Sequence, residues 1–446
     1  MTPIRVGLLG IGTVGSGTFN VLQRNQQEIT RRAGRGIEIT MVADLDTARA
    51  KAVVGDLGLQ DSVRVVADAR EVIANPDIDI VVELIGGYGI ARTLVLEAIA
   101  AGKHVVTANK ALLAVHGTEI FAAARDKGVV VAFEAAVAGG IPIIKALREG
   151  LTANRIQWIA GIINGTTNFI LSEMRAKGLD FGVVLKQAQA LGYAEADPTF
   201  DIEGVDAAHK LTLMSAIAFG IPVQFDKAHI EGITQLAAAD IAYAEHLGYR
   251  IKLLGITKQT DAGIELRVHP TLVPAKRLIA NVEGAMNAVM VQGDAVGSTL
   301  YYGKGAGSEP TASAVIADLV DITRLHTADP HHRVPHLAFQ HDALSATPIL
   351  AMDATVTAYY LRLQVSDEAG VLARIAGILA EHRISIDALL QRPNEGGAVD
   401  NSAARTDVII LTHDTVEGEM NRAIAQMQAL PTVLATIVRI RKEELS

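Results

Sequence analysis

Short apolar runs alternate with longer amphipathic stretches over the first 134 residues. The first run, IRVGLLG from Ile4, shows no polar alternation, which is the pattern of a strand covered on both faces. Similar runs predict strands at Ile37–Ala43, Val63–Val66, Ile80–Ile85, His104–Thr107 and Val129–Phe133. Helical periodicity falls between them, at Thr18–Thr30, Ala91–Ala101 and Gly117–Asp126. Strands alternating with helices in this way build a doubly wound parallel sheet. Residues 1–134 are therefore expected to form one α/β domain.

Further along, the pattern changes. Residues 135–302 are expected to form a second, α+β layer, a sheet with helices. A helix is expected to start near Pro310, a residue suited to the first helical turn. The stretch 326–348 carries five of the thirteen histidines and three prolines, which break any helical spacing. It reads as part of a linker, 326–355, rather than as a metal site. From 356 to 446 the order is strand (Tyr359–Val365), helix (Val371–His382), strand (Ile384–Leu390), strand (Asp407–Thr412), helix (Val416–Leu430), strand (Val433–Ile440). That is a βαββαβ module.

Composition narrows the possibilities. A chain of 446 residues is too long for one compact core, and two or three domains are expected. The formal net charge of −9 argues against a nucleic-acid surface. The absence of cysteine excludes disulfides, thiolate metal sites and a thiol nucleophile, and fits a reducing cytoplasm. The longest uncharged run, Ile156–Ser172, is diluted by glycine, asparagine and threonine, so no membrane span is expected. The N-terminus enters a strand directly, without the basic segment of a secretion signal.

The first strand ends in Gly10-Ile11-Gly12-Thr13-Val14-Gly15. In this spacing the first glycine makes a tight turn and the second lets backbone N–H groups approach a pyrophosphate. The third lets the next helix lie close to the sheet. This is the nucleotide cradle of a Rossmann-type domain. Asp44, at the end of the second strand, is the candidate for the adenosine ribose hydroxyls and favours NAD. Arg49 and Lys51 follow closely enough to meet a 2′-phosphate, which favours NADP, and the choice stays open.

Two further stretches carry chemistry. GKHVVTANKALLA puts Thr107 and Lys110 at the carboxyl edge of a strand, where open α/β sheets bind ligands. A lysine at a helix start opposes the helix dipole and implies an anionic neighbour. LGYAEADPTFDIEGVDAAHK crowds five carboxylates, Glu195, Asp197, Asp201, Glu203 and Asp206, before Lys210. The spacing lacks the alternation of a calcium loop, and a lysine in its midst opposes a divalent cation. Asp206 and Lys210 fall four apart on one helix face, where the acid can orient the lysine. Burial there would draw the lysine's pKa down toward neutrality. Asp197 reads as a turn or cap residue and Glu203 as solvated.

These motifs, together with FEAAVAGGIPII (133–144), GIINGTTNFIL (161–171) and GKGAGSEPTASAV (303–315), occur in an order that resembles the homoserine dehydrogenase family, in its monofunctional form with a C-terminal ACT domain. The resemblance implies reversible NAD(P)-dependent interconversion of L-aspartate 4-semialdehyde and L-homoserine. It implies that Lys210 is the proton donor, Asp206 its partner, and Lys110 a group near both nicotinamide and substrate. Glu195 and Asp201 would hold the substrate ammonium, with Tyr193, Gly165 and Thr166 among the substrate-binding positions. The small polar groups of INGTTNF have a second reading, as a plain strand-end turn. Residues 303–325 would complete the nucleotide domain, with Gly305 and Gly307 either lining the cofactor or serving only the turn.

By resemblance alone, Glu134, Val137, Gly139 and Ile141 would surround a monovalent cation such as sodium, chiefly through backbone oxygens. The βαββαβ segment, a ferredoxin-like ACT domain, implies L-threonine as effector and a homodimer or homotetramer; an ACT domain that only dimerises is the competing reading. A non-catalytic amino-acid sensor on a dehydrogenase scaffold is the alternative from another class. Retention of Lys110, Glu195, Asp206 and Lys210 speaks against it, since a sensor needs no proton donor.

Overall fold

A computed structural model of the chain describes residues 2–326, 333–392 and 405–445. His331 and His332 of the histidine-rich stretch lie outside the described residues. The chain divides into two compact units: Met1–Gly165, Asp206–Ala228 and Ala285–Thr347 form one, and Thr166–Val205, His229–Gly284 and Pro348–Ser446 the other. Among the described residues no helix is long and apolar enough to cross a membrane.

The first unit is built on six parallel strands, β1 (Ile4–Leu9), β2 (Ile37–Ala43), β3 (Arg64–Val66), β4 (Ile80–Glu83), β5 (His104–Thr107) and β6 (Val131–Ala132), in the order β3-β2-β1-β4-β5-β6. Ile4, Val6, Leu8 and Leu9 are fully buried, as strands sandwiched by helices must be. The helices are α1 (Thr13–Arg24), α2 (Gln26–Ala33), α3 (Thr47–Asp56), α4 (Ala69–Ala74), α5 (Gly89–Ala100) and α6 (Lys110–Lys127). Strand order reverses between β1 and β4, and that switch point opens the crevice where such sheets bind ligands.

Of the boundaries that differ from the sequence expectation, several have a clear local reason. The helix expected at Thr18 starts at Thr13, because the glycine turn is itself its first turn: the Ser16 N–H already donates to the Gly12 carbonyl. It breaks at Asn25, after which α2 runs on. The strand expected to reach Ile85 stops at Glu83, whose carboxylate collects the N–H groups of Ile85 and Gly86. The helix expected at Gly117 begins at Lys110, where the Asn109 side chain accepts from the Leu112 N–H as an N-cap.

The same unit holds an antiparallel set of strands, Ile156–Ile162, Met286–Gly293 and Gly297–Lys304. Its helix Ser308–Leu325 packs on α1, with the Ser308 hydroxyl donating to the Thr13 carbonyl at 2.8 Å. Pro310 lies in the first turn of that helix. The described residues 333–347 pack back on this unit: the His336 imidazole accepts from the Val131 N–H at the free edge of the parallel sheet.

In the second unit a hairpin of two long strands, Tyr249–Thr260 and Gly263–Pro274, is antiparallel throughout. The C-terminal module follows the expected βαββαβ order: Val356–Ser366, Val371–Glu381, Ile386–Arg392, Arg405–Thr412, Glu417–Gln428 and Val438–Lys442. These four strands are antiparallel, with the last beside the first and the first beside the third, and a two-residue strand, Thr415–Val416, pairs with the start of the first. A separate apolar core, including Leu361, Leu363, Ile375, Leu379, Met420 and Met427, fills the space under its two helices. Strand Val438–Lys442 also pairs, in parallel, with the hairpin at Thr271 and Leu272.

A buried ion cluster lies along that shared strand. The Arg441 guanidinium meets Glu417 at 2.5 Å and Glu231 at 2.8 Å, and the Tyr359 hydroxyl donates to Glu417 at 2.5 Å. Burial opposes charge on Glu417, but Arg441 and Arg439 outweigh it and hold the carboxyl below its ordinary range.

Candidate active site

The cradle forms as its glycines require. Gly10 adopts a left-handed φ of 94°, and a Cβ there would lie 2.9 Å from the Leu84 carbonyl oxygen. A Cβ on Gly15 would lie 2.2 Å from the Gly10 oxygen, so this turn and helix could not close with any other residue. A Cβ on Gly12 would meet only the Arg49 guanidinium, and α1 starts without a side-chain cap or an acidic residue in its first turn. Its N-terminal N–H groups are thus left for an anion, which is what a dinucleotide pyrophosphate supplies.

Asp44 sits at the end of β2, but its carboxylate is already engaged. One oxygen accepts from the Ile11 N–H at 2.7 Å and the other from the Asp46 N–H at 2.9 Å. The Arg49 guanidinium lies 3.7 Å from the same carboxylate and 3.7 Å from a Cβ placed on Gly12. A cation therefore stands at the mouth of the glycine turn.

On the other side of the switch point, Glu83 and Thr107 end neighbouring strands. The Thr107 hydroxyl donates to Glu83 at 2.7 Å and accepts from the Asn109 N–H at 2.9 Å, so it serves the sheet edge itself. Gly305 packs flat on Asn287, where a Cβ would come within 1.9 Å of the amide nitrogen. Gly307, with φ 121°, precedes the helix Ser308–Leu325.

The catalytic candidates come together in the first unit. Asp206 and Lys210 occupy successive turns of the helix Val205–Phe219, whose residues from Asp206 onward are all buried. Only 5% of Asp206 and 8% of Lys210 is exposed. The Lys210 ammonium donates to Asp206 Oδ2 at 2.6 Å and to the Ile163 carbonyl at 2.8 Å. Lys110 reaches the other oxygen, Oδ1, at 3.2 Å. The Asn164 amide donates to Oδ2 at 2.9 Å. Burial opposes charge on Asp206, yet Lys210 and Lys110 together pull its carboxyl well below the usual range. The site thus holds one anion between two ammonium groups. His209, packed on Phe225 at 4.2 Å between ring centroids, is pushed down to about 4 by burial and stays neutral.

The substrate candidates divide between the units. Gly165 lies in the first, where a Cβ would approach the Ala285 oxygen to 2.8 Å. In the second unit the Thr166 hydroxyl donates to the Tyr193 carbonyl, and the Tyr193 ring stacks on Phe169 at 4.4 Å. Glu195 is exposed and Asp201 half-buried, the latter on the short helix Thr199–Ile202. Asp197 accepts from the Thr199 N–H, as a cap residue does. The INGTTNF stretch opens a helix, Gly165–Lys177, and its Asn168 amide serves the Val282 and Gly284 carbonyls.

Glu134, Val137, Gly139 and Ile141 are all buried, on a turn where Ala138 and Gly139 take positive φ of 54° and 46°. Both Glu134 carboxylate oxygens accept backbone N–H groups, from Ile144 and Lys145. The Glu134 and Ile141 carbonyls accept from Val137 and Ile143. The Glu134 side chain therefore does not fit a cation-binding role. Burial, with Asp318 adding to it, pushes this carboxyl up to about 8, and burial pushes Asp318 up to about 6. Among the described residues no group of three or more His, Asp or Glu could hold a metal ion.

Glu83 and Asn164 were not singled out from sequence. A charged residue inside an apolar run was the available signal for Glu83. For Asn164 it was the polar residue directly ahead of the glycine in INGTTNF.

A dinucleotide cradle and a buried carboxylate bracketed by ammonium groups, on one α/β unit, define a nicotinamide-dependent dehydrogenase. Residues 10–134 match the homoserine dehydrogenase NAD-binding domain, 142–320 the homoserine dehydrogenase domain and 359–429 the ACT domain. Homoserine dehydrogenase of Pseudomonas aeruginosa is 62% identical over 446 residues, covering 100% of both chains. That of Neisseria gonorrhoeae is 58% identical, again over 100% of both. The crystal structure of a homoserine dehydrogenase from Thiobacillus denitrificans is 64% identical, with a TM-score of 0.94 over 100% of this chain and 99% of that one. The chain belongs to the homoserine dehydrogenases, oxidoreductases that use NAD(P).

Proposed function

We propose that this enzyme reversibly reduces L-aspartate 4-semialdehyde to L-homoserine with Lys210 as proton donor. The observation that carries the reading is the Asp206 carboxylate held between Lys210 and Lys110 in a buried site. Reduction of an aldehyde builds negative charge on its oxygen, and an ammonium beside that oxygen both stabilises the charge and supplies the proton. The nicotinamide, when bound, supplies or accepts the hydride. Asp206 orients Lys210, while the Ile163 carbonyl fixes a second of its hydrogens. Lys110 adds a second positive charge on the side of the sheet edge. Glu195 and Asp201 take the substrate ammonium, and Tyr193, Gly165 and Thr166 border its other end.

The position of Arg49 favours NADP: a guanidinium beside the glycine turn suits a 2′-phosphate, while the Asp44 carboxylate is engaged by backbone. The ACT module is the seat of L-threonine feedback in an assembly of two or four chains, and the enzyme works in the cytoplasm, in the pathway to threonine, methionine and isoleucine. Any cation near Val137 and Gly139 would be held by backbone oxygens alone, and no step depends on it.

The test is the Lys210→Ala variant, followed through the absorbance of the reduced cofactor with homoserine as substrate. Turnover should fall by about 10²–10⁴-fold with cofactor binding retained. Near-normal turnover would remove Lys210 from this role. Unchanged activity of the native enzyme with added threonine would remove the feedback.

A further inference from the structure

Glu83 is a fully buried carboxylate at the end of β4, at the crevice edge of the parallel sheet. A buried carboxylate is costly unless every lone pair that needs a partner has one. Glu83 has three: Oε1 accepts from the Ile85 N–H at 2.8 Å and the Gly86 N–H at 3.2 Å, and Oε2 from the Thr107 hydroxyl at 2.7 Å.

Both Glu83 oxygens accept, and that gives the network a direction. The Thr107 hydroxyl has one hydrogen and must spend it on Glu83. Its lone pairs then face outward and accept from the Asn109 N–H at 2.9 Å. Asn109 is fixed at its other end too: its amide donates to the Gly87 carbonyl at 2.6 Å, and its oxygen caps the Leu112 N–H at 3.1 Å. Gly86 and Gly87 are both left-handed, with φ of 83° and 68°, so the loop they form follows this one path. Lys110 is the next residue, the first of α6, and it reaches Asp206 at 3.2 Å. The chain of contacts therefore runs from Glu83 through Thr107 and Asn109 to the residue that holds Lys110 against the catalytic carboxylate.

We infer that Glu83 is a positioning residue for the reaction, locking the direction of the Thr107–Asn109 hydrogen bonds so that Lys110 stays seated on Asp206. It touches neither substrate nor cofactor. This rests on the proposed role of Lys110. Replacing the carboxylate by an amide keeps the volume but introduces a donor, which must face either Thr107 or the two backbone N–H groups. One hydrogen bond is then lost and the threonine hydroxyl is free to turn.

The experiment is a double-mutant cycle on the full-length enzyme with Glu83→Gln, Lys110→Met and the double variant. Turnover with homoserine and cofactor affinity by fluorescence titration are the readouts. Glu83→Gln should lower kcat by about 10–100-fold, the scale of a small misplacement at a reacting centre, with cofactor affinity within about threefold of the native enzyme. In the Lys110→Met background the same change should cost less than about threefold, because the residue it positions is gone. An equal loss in both backgrounds, or a native kcat in Glu83→Gln, overturns the inference. Native turnover in Lys110→Met instead overturns the catalytic reading on which it rests. If Glu83→Gln does not fold, Thr107→Val takes its place in the cycle with the same expected pattern, and independent losses there overturn the inference equally.

Discussion

Asp206 and Lys210 meet at 2.6 Å across one turn of a helix that is buried from Asp206 onward. Neither charge could stand there alone, because taking an unpaired ion out of water costs several kcal/mol. Lys110 makes the arrangement lopsided, with two cations to one anion. The surplus positive charge is what an incoming carbonyl oxygen would meet.

Asp206→Asn tests that charge balance. The amide fills the same space and removes the anion, leaving two ammonium groups facing each other. Turnover should drop at least about tenfold, and the melting temperature at neutral pH should fall as a broken buried pair costs on the order of 3–5 kcal/mol. The Asp206 carboxyl titrates lower in the folded state than in the unfolded one, so its stabilising effect is present above the unfolded value of about 4 and lost below it. The stability gap between native and variant enzyme should therefore close as pH falls through about 4 and below. A gap constant from neutral pH to acid would contradict the assignment.

Arg49→Ala addresses cofactor choice. Removing a charge-assisted contact to a 2′-phosphate should raise KM for NADP⁺ by about tenfold and leave KM for NAD⁺ within about twofold. Equal changes for the two cofactors would place Arg49 outside the phosphate site.

Glu134 and Asp318 predict an unusual pH dependence of stability. Both carboxyls titrate higher in the folded protein, near 8 and 6, than in the unfolded chain. Between the unfolded and folded values the native state binds more protons, so stability should decline as pH rises from about 5 to about 8 and level off above. Thermal melts over this range check the direction, and Glu134→Gln should flatten the slope. A slope unchanged in that variant would assign the effect to other groups.

Arg441→Met should destabilise the C-terminal module by up to about 3–5 kcal/mol, since it removes one of the two guanidinium groups on Glu417 and Glu231 and leaves Arg439 alone with both. Chemical denaturation followed by the fluorescence of a probe in the module would measure it. Glu231→Gln should cost less, because Glu231 is one-third exposed whereas Glu417 is buried. A larger effect from Glu231 would reverse this ranking.

The parallel sheet was legible because strands covered on both faces are written as unbroken apolar runs. The βαββαβ module was legible for a related reason, since its periodicity switches cleanly between strand and helix. What sequence spacing concealed were places where a side chain overrides the local pattern. Glu83 ends β4 before its apolar run ends, and the cradle glycines, which look like breakers, lead straight into α1, with Gly12 as its N-cap and Gly15 in its first turn. Asp206 and Lys210 could be paired from helix spacing alone. Asn164 and Glu83 could not, because their partners lie 42 and 24 residues away and only the fold brings them together.

The strand Val438–Lys442 belongs to two neighbours at once, pairing with Val356–Ser366 on one side and with Thr271 and Leu272 of the long hairpin on the other. A chain cut before residue 356 would not be a smaller version of the same molecule. It would carry a long strand, Gly263–Pro274, with hydrogen-bonding groups left open around Thr271 and Leu272, where the C-terminus now pairs, and an open edge of that kind recruits other chains. The last strand of the chain is therefore a seal: what it shuts off is aggregation.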